Sequence, residues 1–136
     1  MVDPSAAGSF REIEPHEYDG CAEICARAFS HVRSPAEADA WARRIWFSDP
    51  EQRVMHPVGI EAEGSIAAVL HVYETHVAVG NTTLRSGYIG DVAVHPDFQG
   101  QGMGTLLMES TVKWMLDQGY DISRLMGKIS FYRRFG

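Results

Sequence analysis

The spacing of apolar positions changes several times along this chain, and each change marks an element. Residues 9–14 predict a short first strand that ends near Pro15. A helix follows from about Pro15 to Ser30, with Cys21, Ile24, Cys25 and Ala28 on one face. Ser34 reads as an N-cap, with Pro35 at the first helical position and Glu37 three residues on. A second helix therefore runs to about Phe47, carrying Trp41, Ile45 and Trp46, and Asp49-Pro50 ends it. Residues 54–62 predict a strand, Gly64 a turn, and residues 65–79 a long β-prone run through Ile66, Val69, Leu70, Val72, Tyr73, Val77 and Val79. Gly80-Asn81 is a favoured hairpin pair, and residues 82–94 return as the next strand. The region from Arg53 to Val94 is thus an antiparallel meander. From Gly102 onward a helix is expected, its face marked by Met103, Leu106, Leu107, Ser110, Thr111, Trp114 and Met115, with Gly119 as its C′ residue. A short strand over Ile122–Met126 and a turn with a short aromatic-basic helix over residues 127–136 complete the pattern.

Composition narrows the classes. A chain of 136 residues, 45% hydrophobic and 22% charged, fits one globular domain with a real core. Residues 1–8 read as a flexible N-terminus. The net charge of −6 argues against nucleic acid or an anionic membrane as the main partner, so a phosphate-rich ligand would need local donors. No secretory signal is visible, and no apolar run approaches membrane-spanning length. Cys21 and Cys25, four apart in a helical pattern, make a poor disulfide framework and read as reduced cytoplasmic thiols. The six histidines show no metal-ligand spacing. His71 and His76 lie five apart in a strand and face opposite sides, so no metal site is expected.

Candidate chemistry concentrates in Val92-Ala93-Val94-His95-Pro96-Asp97-Phe98-Gln99-Gly100-Gln101-Gly102-Met103-Gly104. An apolar strand runs into a glycine-rich turn that opens a helix. That geometry aims backbone N–H groups at an anion, with the positive end of a helix dipole behind it. A Cβ there would hold a phosphate off the backbone or block the turn. A tight strand–helix turn without ligand is the alternative use of Gly100, Gly102 and Gly104. No Gly-Lys-Ser/Thr follows, so the loop is not a nucleotide-binding P-loop.

Three features carry a family likeness: Gln99-Gly100-Gln101-Gly102-Met103-Gly104 after a strand, the Val92–Pro96 strand-to-loop transition, and the ending Phe131-Tyr132-Arg133-Arg134-Phe135-Gly136. Over roughly residues 9–136 the chain resembles the GCN5-related N-acetyltransferases (the GNAT superfamily). Gly119-Tyr120-Asp121-Ile122 and Tyr132-x-Arg134-Phe135-Gly136 look most like the N-terminal domain of the enhanced-intracellular-survival (Eis) type. The resemblance implies an α/β (α+β) fold, a mixed and mostly antiparallel sheet flanked by helices. A complete family domain continues with two more strands, so residues 9–136 would be a single acetyltransferase-like domain incomplete at its C-terminal end. Such a chain is either a fragment or one whose sheet another chain completes, which leaves a homo-oligomer open.

The resemblance also implies acetyl-coenzyme A as cosubstrate and a small-molecule or peptide amine as acceptor. Backbone groups of Val92, Ala93 and Val94 would bond the pantetheine amides. N–H groups from Gly100, Gln101, Gly102, Met103, Gly104 and Thr105 would hold the pyrophosphate, with Gln99 capping the loop or facing solvent. Gly127 and Lys128 are weaker cofactor candidates. Tyr132 would protonate the departing thiolate; the alternative is a tyrosine packed at a helix end. The base is open among Asp91, Glu74, His71, His95 and a water chain, with Asp91 read first as a structural or hydrogen-bonding carboxylate. Strand alternation puts Asp91 and Ala93 on one face and Val92 and Val94 on the other. A backbone N–H near Val94 is the natural donor to the reacting carbonyl oxygen. Trp41, Trp46 and Phe47 either pack in the core, the favoured reading, or line an acceptor pocket. The expected function is transfer of an acetyl group to a primary amine by direct attack on the thioester. The alternative is a non-catalytic acyl-coenzyme A-binding module or an inactive fragment of a larger enzyme.

Overall fold

The meander forms where the spacing places it. A computed structural model describes residues 8–48 and 54–136; Arg53 and the expected Asp49-Pro50 helix end lie outside them. Strands β1 (Ser9–Glu12), β2 (Met55–Ala62), β3 (Ser65–Val79) and β4 (Thr82–Val94) pair antiparallel in sequence order. The β2–β3 turn puts Glu63 and Gly64 both at positive φ, 52° and 75°, the backbone a twisted two-residue hairpin demands. Strand β5 (Ile122–Leu125) joins β4 in parallel. Parallel neighbours need a crossover, and helix α3 (Met103–Asp117) supplies it. Gly119, at φ 82°, ends that helix in the left-handed conformation, and the next residue, Tyr120, bonds back to Met115 at 3.0 Å.

Helix α1 (Tyr18–Ala28) is shorter than its apolar pattern predicts. The Glu17 carboxylate accepts the Glu14 N–H at 2.9 Å and the Arg11 guanidinium at 2.6 Å. These bonds favour a separate 3-10 turn over Pro15–Glu17 before the α-helix starts. Helix α2 (Pro35–Trp46) begins as the sequence indicates. The Ser34 hydroxyl accepts the Glu37 N–H at 3.3 Å, and Glu37 accepts the Ser34 N–H at 3.1 Å. A further short helix, α4 (Ile129–Tyr132), leads into the aromatic-basic ending.

Two cores sandwich the sheet. On one face α1 and α2 bury Cys21, Ile24, Cys25, Ala42 and Trp46 against Val69 and Ala93. On the other, α3 buries Leu107, Met108 and Met115 against Val58, Ile60, Leu70, Val72 and Ile89. Each fully buried aliphatic side chain here is worth about 1.5–3 kcal/mol. The exposed Arg43–Asp19 pair is screened by solvent, so burial, not surface charge, holds the helices down. Met108 is buried although it lies off the predicted α3 face, whereas Leu106 and Trp114 sit at the core's margin. Among the described residues no helix is long and apolar enough to cross a membrane.

One irregularity positions the site. Val69 pairs with Ala93 but His71 pairs with Gly90, so β4 carries one residue more than β3 between these pairs. Asp91 absorbs it at φ 58°, a left-handed conformation that aspartate tolerates better than most residues. Strict alternation would put Ile89 and Ala93 on one face. Instead Ile89 packs under α3 and Ala93 under α1 and α2.

Candidate active site

β4 outruns its neighbour. Its parallel pairing with β5 ends at Ile89 opposite Leu125, and the stretch from Gly90 to Val94 continues beside a gap. The His95 N–H donates to Ala67 on β3 at 2.8 Å, which sets the alternation. Ala93 turns its peptide groups toward β3, while those of Val92 and Val94 point into the gap. Of the three predicted backbone contacts, Ala93 is committed to the sheet, and on the gap side the Val94 carbonyl is taken by Gln99. The Gln99 side-chain amide donates to the Val94 carbonyl at 3.4 Å, so Gln99 caps the loop.

The glycine loop opens α3 as the motif requires. Gly100 and Gly102 adopt φ 75° and 79°, and a Cβ at either would meet nothing within 4 Å. Their necessity in this fold is conformational, not a matter of space. Gly102 caps α3, whose first bond runs from the Leu106 N–H to the Gly102 carbonyl at 3.0 Å. The N–H groups of Met103, Gly104 and Thr105 are left without helical acceptors. Gly104 differs: its φ is ordinary, and a Cβ would touch Phe131 and Val94 at 3.6 Å. Gln101 is exposed and its side chain donates to the Asp97 carbonyl at 3.1 Å. The chain's ending folds onto this loop. Arg134 donates to the Thr105 hydroxyl at 2.8 Å, with its guanidinium over Phe131 and Phe135 at 4.7 and 5.0 Å. The sequence marked Arg134 only as part of the ending motif and gave it no site role, because only folding brings residue 134 beside residue 105.

On the α1/α2 side of the gap lies a cleft of about 1190 Å³ lined by Trp41, Tyr73, Tyr88, Asp91, Val92 and Tyr132, with Arg44, Arg124 and Lys128 also on its wall. It reaches Val92 and Tyr132 but not the loop residues 99–105, which run along the neighbouring surface. The Tyr132 ring seats directly on Gly127, where a Cβ would stand 2.5 Å from Cε2. Partial burial raises the Tyr132 phenol above its ordinary pKa, so the hydroxyl keeps its proton at neutral pH. The three early aromatics divide. Trp41 lines the cleft, Trp46 is buried and donates to the Cys25 sulfur at 3.2 Å, and Phe47 is exposed with its ring edge-on to Tyr18. Cys21 and Cys25 are both buried and free, and burial pushes each thiol up to about 12.

The four candidate bases also divide. Glu74 accepts from Arg85 at 2.6 Å and from Tyr120 at 3.0 Å, and the Arg85 hydrogen bonds hold its carboxyl below the usual range. The His95 Nδ1 accepts the Asp97 N–H at 3.0 Å. Both are occupied by local structure. Glu74 and Asp91 both line the cleft, but Asp91 has no arginine or lysine bonded to it among the described residues and accepts a hydrogen bond from the Tyr73 hydroxyl. His71 is wholly buried, its ring centroid 4.2 Å from that of Trp46 and 5.6 Å from that of Tyr73. Its Nδ1 stands 3.3 Å from Asp91 Oδ2, and neither ring nitrogen makes a hydrogen bond to a described residue. A buried polar atom left so costs about 1–3 kcal/mol. His76, on the opposite face, is exposed. The sequence placed Tyr73 in the β-prone run but gave it no site role, although it lies two positions from His71 on one strand and must share its face.

Residues 9–136 match the sequence model of the acetyltransferase (GNAT) domain. The chain belongs to the GNAT family. No curated protein matches its sequence. Solved GNAT-like structures share the fold at low identity. A probable N-acyltransferase from Enterococcus faecalis V583 superposes with a TM-score of 0.75 at 17% identity, covering 94% of this chain and 31% of that one. A GNAT family acetyltransferase from Brucella melitensis, in complex with acetyl-CoA, gives 0.70 at 23% identity, covering 94% and 80%. A predicted acetyltransferase from Clostridium acetobutylicum, with acetyl-CoA, gives 0.72 at 17%, covering 94% and 88%. The chain thus spans about a third of the Enterococcus protein's length.

Proposed function

We propose that this GNAT domain transfers an acetyl group from acetyl-coenzyme A to a primary amine by direct attack on the thioester. One observation carries the reading: the open β4 edge at Val92 and Val94 leads straight into the unbonded N–H groups that begin α3, and Tyr132 shares a cleft with Val92. Those groups suit a pantetheine–diphosphate tail. The Val92 peptide groups and the Val94 N–H offer strand-like bonds to its amides, while the Val94 carbonyl is held by Gln99. The N–H groups of Met103, Gly104 and Thr105 offer charge-assisted bonds to the diphosphate, worth about 1.5–3 kcal/mol each. Gly100, Gln101 and Gly102 shape the loop, and Arg134 adds a cation beside Thr105. Such local donors outweigh the unfavourable overall charge of −6.

The bound thioester supplies an activated acetyl group and a thiolate leaving group. Tyr132, protonated at neutral pH, donates its proton as that thiolate departs. The Val94 N–H serves as the main-chain donor to the carbonyl oxygen. The Gly119–Ile122 stretch and the Tyr132–Gly136 ending favour an Eis-type N-terminal domain. Free, buried Cys21 and Cys25 fit a cytoplasmic setting.

The test is a thermal-shift titration with coenzyme A beside a thiol-release assay. The assay panel holds a polyamine, an aminoglycoside, an aminosugar phosphate and a peptide with a free N-terminus. Stabilisation with thiol release is expected, and Tyr132→Phe should cut turnover about 10²–10⁴-fold while leaving the coenzyme A response intact. Stabilisation without release from any amine would leave a binding module in place of an enzyme.

A further inference from the structure

We propose that Asp91 is the base that takes the acceptor's proton, and that His71 and Tyr73 are positioning residues that hold its carboxylate. The inference rests on the acetyltransferase reading above and adds the group that reading lacks. Three independent features converge on Asp91. The bulge in β4 turns this residue, and no other on the strand, into the left-handed conformation. Its carboxylate lies in the cleft that also holds Val92 and Tyr132, beside the exposed β4 edge. Behind it sits His71, completely buried, with neither ring nitrogen hydrogen-bonded to a described residue and Nδ1 3.3 Å from Oδ2.

A core position filled for packing alone would carry an apolar residue, since the unbonded nitrogens are a penalty. His71 is explained if its partner completes the bond when the carboxylate changes state. The hydroxyl of Tyr73 fixes one carboxylate oxygen from the cleft side, and the ring of Tyr73 packs on His71. The Cys25 sulfur lies 3.9 Å from the Asp91 carbonyl, so α1 supports the bulge from below. The other charged or titratable groups lining the cleft are Arg44 on α2, Glu74 and Tyr73 on β3, Tyr88 on β4, and Arg124, Lys128 and Tyr132 beyond β4; Glu74 is already held by Arg85 and Tyr120.

The step balances. The amine nitrogen forms its bond to the acetyl carbon, and its N–H becomes strongly acidic as it does so. That proton passes to the Asp91 carboxylate. The carbon–sulfur bond breaks, and the sulfur leaves with the Tyr132 proton. The proton on Asp91 then returns through solvent to the Tyr132 phenolate, which restores both groups. No oxidant, metal or further reactant is required.

Asp91→Asn is the discriminating change. Asparagine also tolerates the left-handed backbone and still accepts from Tyr73, but it cannot take a proton. With an amine found active for the wild type, kcat should fall about 10²–10⁴-fold, while KM for acetyl-coenzyme A and the thermal response to coenzyme A stay as in the wild type. A second readout needs no turnover. Adding that amine to the wild-type coenzyme A complex should move the ring ¹⁵N resonances of His71, and the same addition to D91N should not. His71→Leu, close in volume and without polar atoms, should retain the fold and lose kcat with an unchanged KM for acetyl-coenzyme A. Wild-type kcat in D91N would overturn the assignment and leave the acetyltransferase reading standing. Coenzyme A binding with no thiol release from any amine would remove both. Should D91N fail to fold, a wild-type His71 ring that ignores the amine would be enough to reject the proposal.

Discussion

Gly127→Ala tests the seating of Tyr132. A Cβ at residue 127 would lie 2.5 Å from Tyr132 Cε2 and 3.0 Å from Cδ2, where ordinary contact begins near 3.4 Å. The ring must therefore retreat by about 0.9 Å, the difference between the first and last of these distances. Backbone yielding is opposed, because the Tyr132 N–H and the Phe131 N–H both bond the Lys128 carbonyl, at 3.1 and 3.0 Å. Phe131 also packs edge-on to the Tyr132 ring at 4.9 Å. The hydroxyl then moves by about the distance at which a misplaced reacting group costs roughly 10²-fold in rate. The assay is kcat for thiol release, with the coenzyme A thermal shift as the control for cofactor binding. If the effect passes through Tyr132, the double variant G127A/Y132F loses no more than Y132F alone. Wild-type turnover in G127A, or losses that multiply in the double variant, would refute the coupling.

Gly102→Ala should destabilise the domain by about 1–2 kcal/mol, because alanine must adopt φ 79°. Gly104→Ala should cost far less, since its φ is ordinary and its nearest contacts are 3.6 Å away; equal losses of chemical-denaturation midpoint in the two variants would contradict this. Acid should weaken the fold through Glu17, whose carboxyl is held down to about 2 from 4.5, first by its hydrogen bonds to Arg11. The folded value lies below the unfolded one, so the unfolded chain binds the proton more readily. Stability is full above about 4.5 and is lost as pH falls toward about 2. Urea midpoints measured down that range should decline less steeply for Glu17→Gln, and an unchanged slope would exclude Glu17 as a source.

Much of this architecture was readable without coordinates, because it depends on neighbours within a few residues. The Ser34–Glu37 cap, the Gly80-Asn81 hairpin, the apolar stripe of α3 and the glycine turn at its start are all local patterns, and backbone sterics or 3.6-residue periodicity enforce them. The family likeness was likewise written in short motifs. What needed the tertiary structure were relations across the sheet. The bulge at Asp91 has no local mark; it arises from how β4 must pair with β3, and it alone decides that Ile89 and Ala93 face opposite cores. The burial of His71 follows from Trp46 arriving on a separate helix, and Arg134 meets Thr105 only when the chain's ending packs on α3. A side chain's type limits the chemistry it can perform, but its partner is chosen by long-range packing, and that choice separated Asp91 from Glu74 and His95.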